Sequence, residues 1–136
     1  MSPLAIVSLV IALSDASGSY QGHFKTDRAL LVPRAKTPEH KKLLIYTLGR
    51  IEHSILKLTL KQDGTFTRSF DDGFNGDKVT HEGQWKVTGN KLVLTIERAN
   101  TRQLAKPISE AIAYPKMTGR FMGMPNGITV TYTRLP

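Results

Sequence analysis

The chain contains no cysteine, so disulfide bridges, thiolate catalysis and a scaffold built on cystines are excluded. That absence is compatible with cytoplasm or periplasm and selects neither. Acidic residues are scarce: 11 Asp and Glu stand against 19 Lys and Arg, a formal charge of +8. A positive surplus favours contact with an acidic protein or surface. No nucleic-acid recognition motif accompanies it, so specific nucleic-acid binding is not expected. Long apolar runs are missing as well. The longest, Leu4 to Leu13, has ten residues. As a helix it would extend only about 15 Å, half the thickness of a bilayer core, so no membrane span is expected. There is no heptad pattern, low-complexity stretch or tandem repeat.

At 136 residues the chain is the size of one domain with a real core. The apolar Leu4–Leu13 run, followed by the small residues Ala16, Ser17 and Gly18, has the pattern of a secretory signal peptide cleaved before Ser19. Only Met1, Ser2 and Pro3 precede the run, so its positive end is the amine alone. The β-branched Ile6, Val7, Val10 and Ile11 also fit a buried strand. The expected organisation is a leader over 1–18 and a single β domain over 19–136. Export to the periplasm or beyond the cell follows if the leader is used, and a cytoplasmic location otherwise.

From Ser54 onward apolar and polar residues alternate. Leu56, Leu58 and Leu60 share one face of a strand, with Lys57, Thr59 and Lys61 on the other. Asp63-Gly64 turns the chain into Phe66, Arg68 and Phe70. Strands are expected at Ser19–Lys25 and near 54–62, 65–70, 78–87, 91–98, 110–116, 118–123 and 128–134. Gly22 marks a place where another chain passes closely. Ala29 to Val32 reads as an extended continuation that Pro33 stops, and Pro107 and Pro115 as strand starts or edges. Met124-Pro125-Asn126-Gly127 reads as a turn. Thr37-Pro38-Glu39 breaks the period of two: a capping hydroxyl, a proline in the first turn and an acid at the positive dipole end begin a helix. Leu44, Leu48 and Ile51 continue it to about His53, Leu43, Ile45 and Tyr46 widen its apolar surface, and it is expected to plug or cover the sheet. Eight sequential strands closing on themselves remove the exposed edges and leave room for side chains or one small ligand. The fold class is therefore mainly β: a small antiparallel meander barrel with one helix at 38–53.

Leu58 to Phe66, Leu-Thr-Leu-Lys-Gln-Asp-Gly-Thr-Phe, resembles the strand, Asp-Gly-Thr-Phe, strand signature of bacterial lipocalin-like domains. Gly83-Gln84-Trp85 followed by Gly89-Asn90-Lys91-Leu92 is similar to their Gly-x-Trp hairpin. Gly18 to Gly22 and Tyr132 to Arg134 are similar to the opening and closing strands, so the resemblance spans about Ser19 to Leu135. It implies the barrel, and implies export. It names no ligand. Thr26–Lys36 and Thr101–Ala113 depart from the pattern.

The chemistry-bearing candidates are few. If Phe66 and Phe70 point inward, so does Arg68, and a buried guanidinium demands an anionic or polar partner. A ligand carboxylate would serve; a rim position with the head group in water is the plainer reading. The expected ligand-binding set is Arg68, Phe66, Phe70, Leu94 and Tyr132, facing a small hydrophobic or carboxylate ligand. Asp71, Asn75 and Asp77 offer oxygen donors in a glycine-bearing loop, but a calcium loop needs a fuller set. His23, His40, His53 and His81 lack ligand spacing. Met117, Met122 and Met124 are ordinary core fillers before they are soft copper ligands. No metal or cofactor is expected, and no nucleophile–base spacing argues for an enzyme. The alternative to a ligand-binding module is a structural or protein-interaction domain with a filled core and a basic outer face.

Overall fold

A computed structural model describes residues 16–71, 78–121 and 124–136. Its strands are β1 (Gly18–Thr26), β2 (Ile55–Leu60), β3 (Thr65–Asp71), β4 (Lys78–Thr88), β5 (Lys91–Ala99), β6 (Arg102–Ala113), β7 (Thr118–Gly119) and β8 (Ile128–Arg134). Two helices, α1 (Arg28–Leu31) and α2 (Pro38–His53), lie between β1 and β2, with a 3₁₀ turn over Val32–Arg34. The eight strands pair antiparallel in chain order, and β8 returns to β1 to close a barrel. Closure leaves β1 no free edge: Gly22 sits between Leu56 of β2 and Tyr132 of β8. Gly22 meets the expectation of close approach, since a Cβ there would lie 2.8 Å from the Leu56 side chain.

Alternation sets the core. Leu56, Phe66, Trp85, Leu94 and Tyr132 come from five strands and are all buried in one cluster. Their polar neighbours Lys57, Lys86 and Thr131 face water. The helix occupies the expected residues. Thr37 accepts a hydrogen bond from the His40 amide at 3.0 Å. Leu48 is buried, with Leu44 and Ile51 packed against the core. Glu52 takes hydrogen bonds from Thr26, the last residue of β1, and from Arg28 at 2.6 Å. These contacts fasten the helix over the barrel end where Thr26 of β1 meets Ile128 of β8. At the other end Tyr20 donates to the Ala16 carbonyl at 2.5 Å and accepts from Arg134 at 2.8 Å.

Four expectations are corrected. Ala29 to Val32 is helical rather than extended. Asp27 caps α1 by accepting from the Leu30 amide at 3.2 Å, Leu31 turns into the core, and Pro33 opens the 3₁₀ turn that follows. The strand expected over 110–116 is β6, which begins at Arg102 and ends at Ala113. Asn100 and Thr101 adopt positive φ and reverse the chain at once after β5. Between Arg102 and Pro107 only Leu104 is half-buried, so the apolar alternation by which a strand is read is missing. The strand expected over 118–123 shrinks to Thr118–Gly119, with Arg120 and Phe121 outside any ladder. Pro107 lies inside β6 rather than at its start, in the irregular stretch between Gln103, paired with Arg98, and Ile108, paired with Ile96. Residues 1–15 of the leader expected over 1–18, the Asp72–Asp77 part of the cation-loop candidate, and Met122 lie outside the described residues.

Candidate functional site

Arg68 points into the barrel, as alternation with Phe66 and Phe70 requires, and is only 2 % exposed. It is the largest fully buried side chain by residue volume. The chain itself supplies the partners that a buried guanidinium needs. Nη1 donates to Glu110 of β6 and, at 3.0 Å, to the Tyr132 hydroxyl of β8. Nη2 donates to the second Glu110 oxygen at 3.2 Å. Nε and Nη2 lie 3.3 and 3.1 Å from Nδ1 of His81, which faces Arg68 across the β3–β4 ladder. The fork–fork contact with one carboxylate is the strong geometry for this pair. Because His81 accepts through Nδ1, its proton belongs on Nε2.

An aromatic cap completes the set. Phe121 places its ring 4.5 Å from the Arg68 guanidinium carbon. It also lies 5.6 Å from Phe24, 5.7 Å from Phe70 and 5.9 Å from the His81 ring. A cation against an aromatic face, in surroundings without water, is attractive by roughly 2 kcal/mol. The interior thus has a charged floor of Arg68 and Glu110, with three phenylalanines above it.

Burial governs the protonation of this set. His81 is pushed down to about 4, first by desolvation and then by the adjacent Arg68 charge, with Glu110 opposing. Tyr132 is pushed up to about 12, again first by burial. Burial alone would lower Arg68, but the facing Tyr132 and Glu110 raise it above its ordinary value. At neutral pH Arg68 is therefore a cation, His81 a neutral imidazole and Tyr132 a neutral phenol. Neither His81 nor Tyr132 is poised to move a proton near pH 7, so the arrangement suits recognition better than acid–base catalysis.

A pH dependence follows. The unfolded chain binds a proton at His81 near 6.5, whereas the folded one resists it until about 4. The stability tied to neutral His81 is complete above the unfolded value and is lost as pH falls through that window. We expect a loss of about 2 kcal/mol, the full shift discounted for solvent screening. Denaturant melts of the parent and of His81→Gln check it. The glutamine keeps an acceptor toward Arg68 and should flatten the slope; equal slopes would remove His81 from the account.

All five residues expected to form the site face the interior, and Arg68 and Tyr132 touch. Phe70 joins the aromatic cap, while Phe66 and Leu94 lie in the apolar core. Glu110, His81, Phe24 and Phe121 were missed. Three had a signal: Glu110 alternates with Ile108 and Ile112, His81 with Gly83 and Trp85, and Phe24 with Gly22 and Tyr20. Phe121 lies in the strand expected over 118–123, which the structure shortens to Thr118–Gly119. Among the described residues, no three His, Cys, Asp or Glu side chains gather as metal ligands. No described helix is long and apolar enough to cross a membrane.

No family model, curated protein or solved structure matches the chain. The architecture carries what can be said: a closed eight-stranded antiparallel barrel with associated helices is consistent with a lipocalin-like fold in general and with a ligand-binding module in general.

Proposed function

We propose that this chain is a lipocalin-like binding module whose ligand enters the barrel end capped by Phe24, Phe70 and Phe121 and reaches Arg68. The observation that carries this reading is the ionic set in the barrel interior. Filling a barrel with apolar side chains is the more stable solution, and a buried ion pair is often neutral or costly by comparison. A buried charged group within a cleft-forming fold is a functional candidate on those grounds.

The charge balance narrows the ligand. Glu110 already neutralises Arg68, so a full carboxylate would have to displace it. A small, mainly apolar molecule with a neutral or weakly anionic head fits better, its body replacing the Phe121 contact and its head meeting Arg68, His81 or Tyr132. Export by an N-terminal leader over 1–18, as the lipocalin-like resemblance implies, belongs to the same proposal.

Decanol and decanoate are suitable probes, titrated against the isotopically labelled protein with amide and side-chain resonances followed. Saturable shifts at Arg68, His81 and Phe121, larger for decanol, are the expected result. Shifts confined to the outer surface, or none, would sink the ligand reading. That outcome would favour a structural or protein-interaction domain with a filled core and a basic outer face. One observation already supports that second reading: every nitrogen of the Arg68 guanidinium has an acceptor within the chain.

A further inference from the structure

Seven large apolar side chains are exposed among the described residues. Five of them, Leu30, Leu43, Ile45, Tyr46 and Ile55, fall between Arg28 and Ile55. Leu43 is 63 % exposed and Tyr46 54 %. The same stretch holds six Lys or Arg and two Asp or Glu, a surplus of four that is half of the whole chain's +8. Exposed apolar surface and excess positive charge therefore coincide in about a fifth of the chain.

Helix geometry sorts these residues. α2 turns Leu44, Leu48 and Ile51 toward the barrel, with Leu48 fully buried. At 3.6 residues per turn, Lys42, Leu43, Tyr46 and Arg50 then share the opposite side, together with the acid Glu39. Arg50, half-buried, lies against the Tyr46 ring, its guanidinium carbon 5.9 Å from the centroid. Ile45 flanks this face and is exposed, while Lys41, seven residues before Leu48, lies on the barrel side of the helix, exposed in its first turn. Glu52 contributes no negative charge to it, because Arg28 and Thr26 hold that carboxylate against the barrel.

We propose that the outward face of α2 seats this protein on an anionic membrane surface, with Leu43 and Tyr46 entering the headgroup layer and Lys42 meeting lipid phosphates. Apolar side chains bordered by lysines on one helix are the composition that lies in a bilayer interface. Tyrosine belongs at that depth, and lysine stems lie along apolar surface while their charges stay in water. An acidic protein would answer the charge, but it would need a groove shaped to this convex helix. A fluid interface conforms to it. Nucleic acid would answer the lysines and leave Leu43 and Ile45 unrewarded. Such docking lies on the membrane and needs no spanning helix. It uses none of the barrel-interior residues, so it and the ligand reading can fail separately.

The test is co-sedimentation of the full chain with vesicles of phosphatidylglycerol and phosphatidylcholine, against vesicles of phosphatidylcholine alone. Binding is expected to the anionic vesicles only, and to weaken sharply in about 0.5 M salt. Lys42→Gln should weaken it about five-fold. Leu43→Ser with Tyr46→Ser should weaken it about ten-fold or more. Both positions are exposed, so the melting temperature of that variant should stay close to the parent's. Lys86→Gln, on β4 toward the end of the barrel away from Thr26, should leave binding unchanged. Failure of the parent chain to sediment with anionic vesicles overturns the proposal. So does a Lys86→Gln loss as large as that of Lys42→Gln, since it would mean that general charge and not this face is responsible.

Discussion

Glu110→Ala is expected to destabilise the barrel by about 3–5 kcal/mol, because it strands a charge that cannot leave. Arg68 is fully buried, and its guanidinium keeps its proton throughout any accessible pH. With the carboxylate gone, Nη1 retains Tyr132 and Nη2 retains His81, two neutral acceptors where a counter-ion had been. A urea melt should show a midpoint lowered in proportion, with an unchanged slope. The double variant Arg68→Met, Glu110→Leu removes both charges and keeps similar volume. It should lie within about 2 kcal/mol of the parent, on either side. This contrast separates the two costs: truncating one partner penalises the other, while replacing both asks what the pair itself is worth. If Glu110→Ala costs under about 1 kcal/mol, water reaches Arg68 and the buried floor of the site does not exist. If the double variant folds well and no longer responds to decanol, the ionic set is there for binding and not for stability.

Gly83→Ala should be nearly as damaging, for a steric reason. Gly83 stands at a bulge where the β4–β5 register shifts between Glu82 and Gly83. A Cβ built there would lie 1.8 Å from the Thr95 carbonyl oxygen and 3.1 Å from the Glu97 nitrogen. Both atoms are backbone, so no side-chain rotation can relieve the clash. The strands must separate at Gly83↔Ile96 and Gln84↔Thr95, or the bulge must move. Either path breaks ladder hydrogen bonds beside Trp85, and we expect a loss of about 3 kcal/mol or more. Trp85, the only tryptophan, sits two residues away and reports the change by fluorescence during the same melt. A variant as stable as the parent would show that the bulge accommodates a methyl group and that the close approach is dispensable. The glycine of the Gly-x-Trp pattern thus has a physical meaning here: one strand's carbonyl occupies the space of the other's side chain.

Much of this architecture was legible before any coordinates. Residues 38–53 form the helix because Thr37 caps it, Pro38 suits its first turn, and Leu44, Leu48 and Ile51 share one face. Arg68 turned out to be interior because Phe66 and Phe70 flank it at a spacing of two. Other parts were illegible for equally physical reasons. Arg102–Pro107 sends only Leu104 part-way into the core, so β6 lacked the alternation that marks a strand. Ala29 to Val32 is an apolar run too short to show a period, and it is Asp27 at the cap and Leu31 in the core that make it helical.

Side-chain direction is local. It depends on each residue's own backbone and repeats every second position, so sequence alone determined which residues share the interior. Which of those residues meet is decided by closure. Arg68 of β3 and Glu110 of β6 are 42 positions apart, and no periodicity relates them. They become partners only when β8 pairs with β1 and bends the sheet until its inner faces oppose one another.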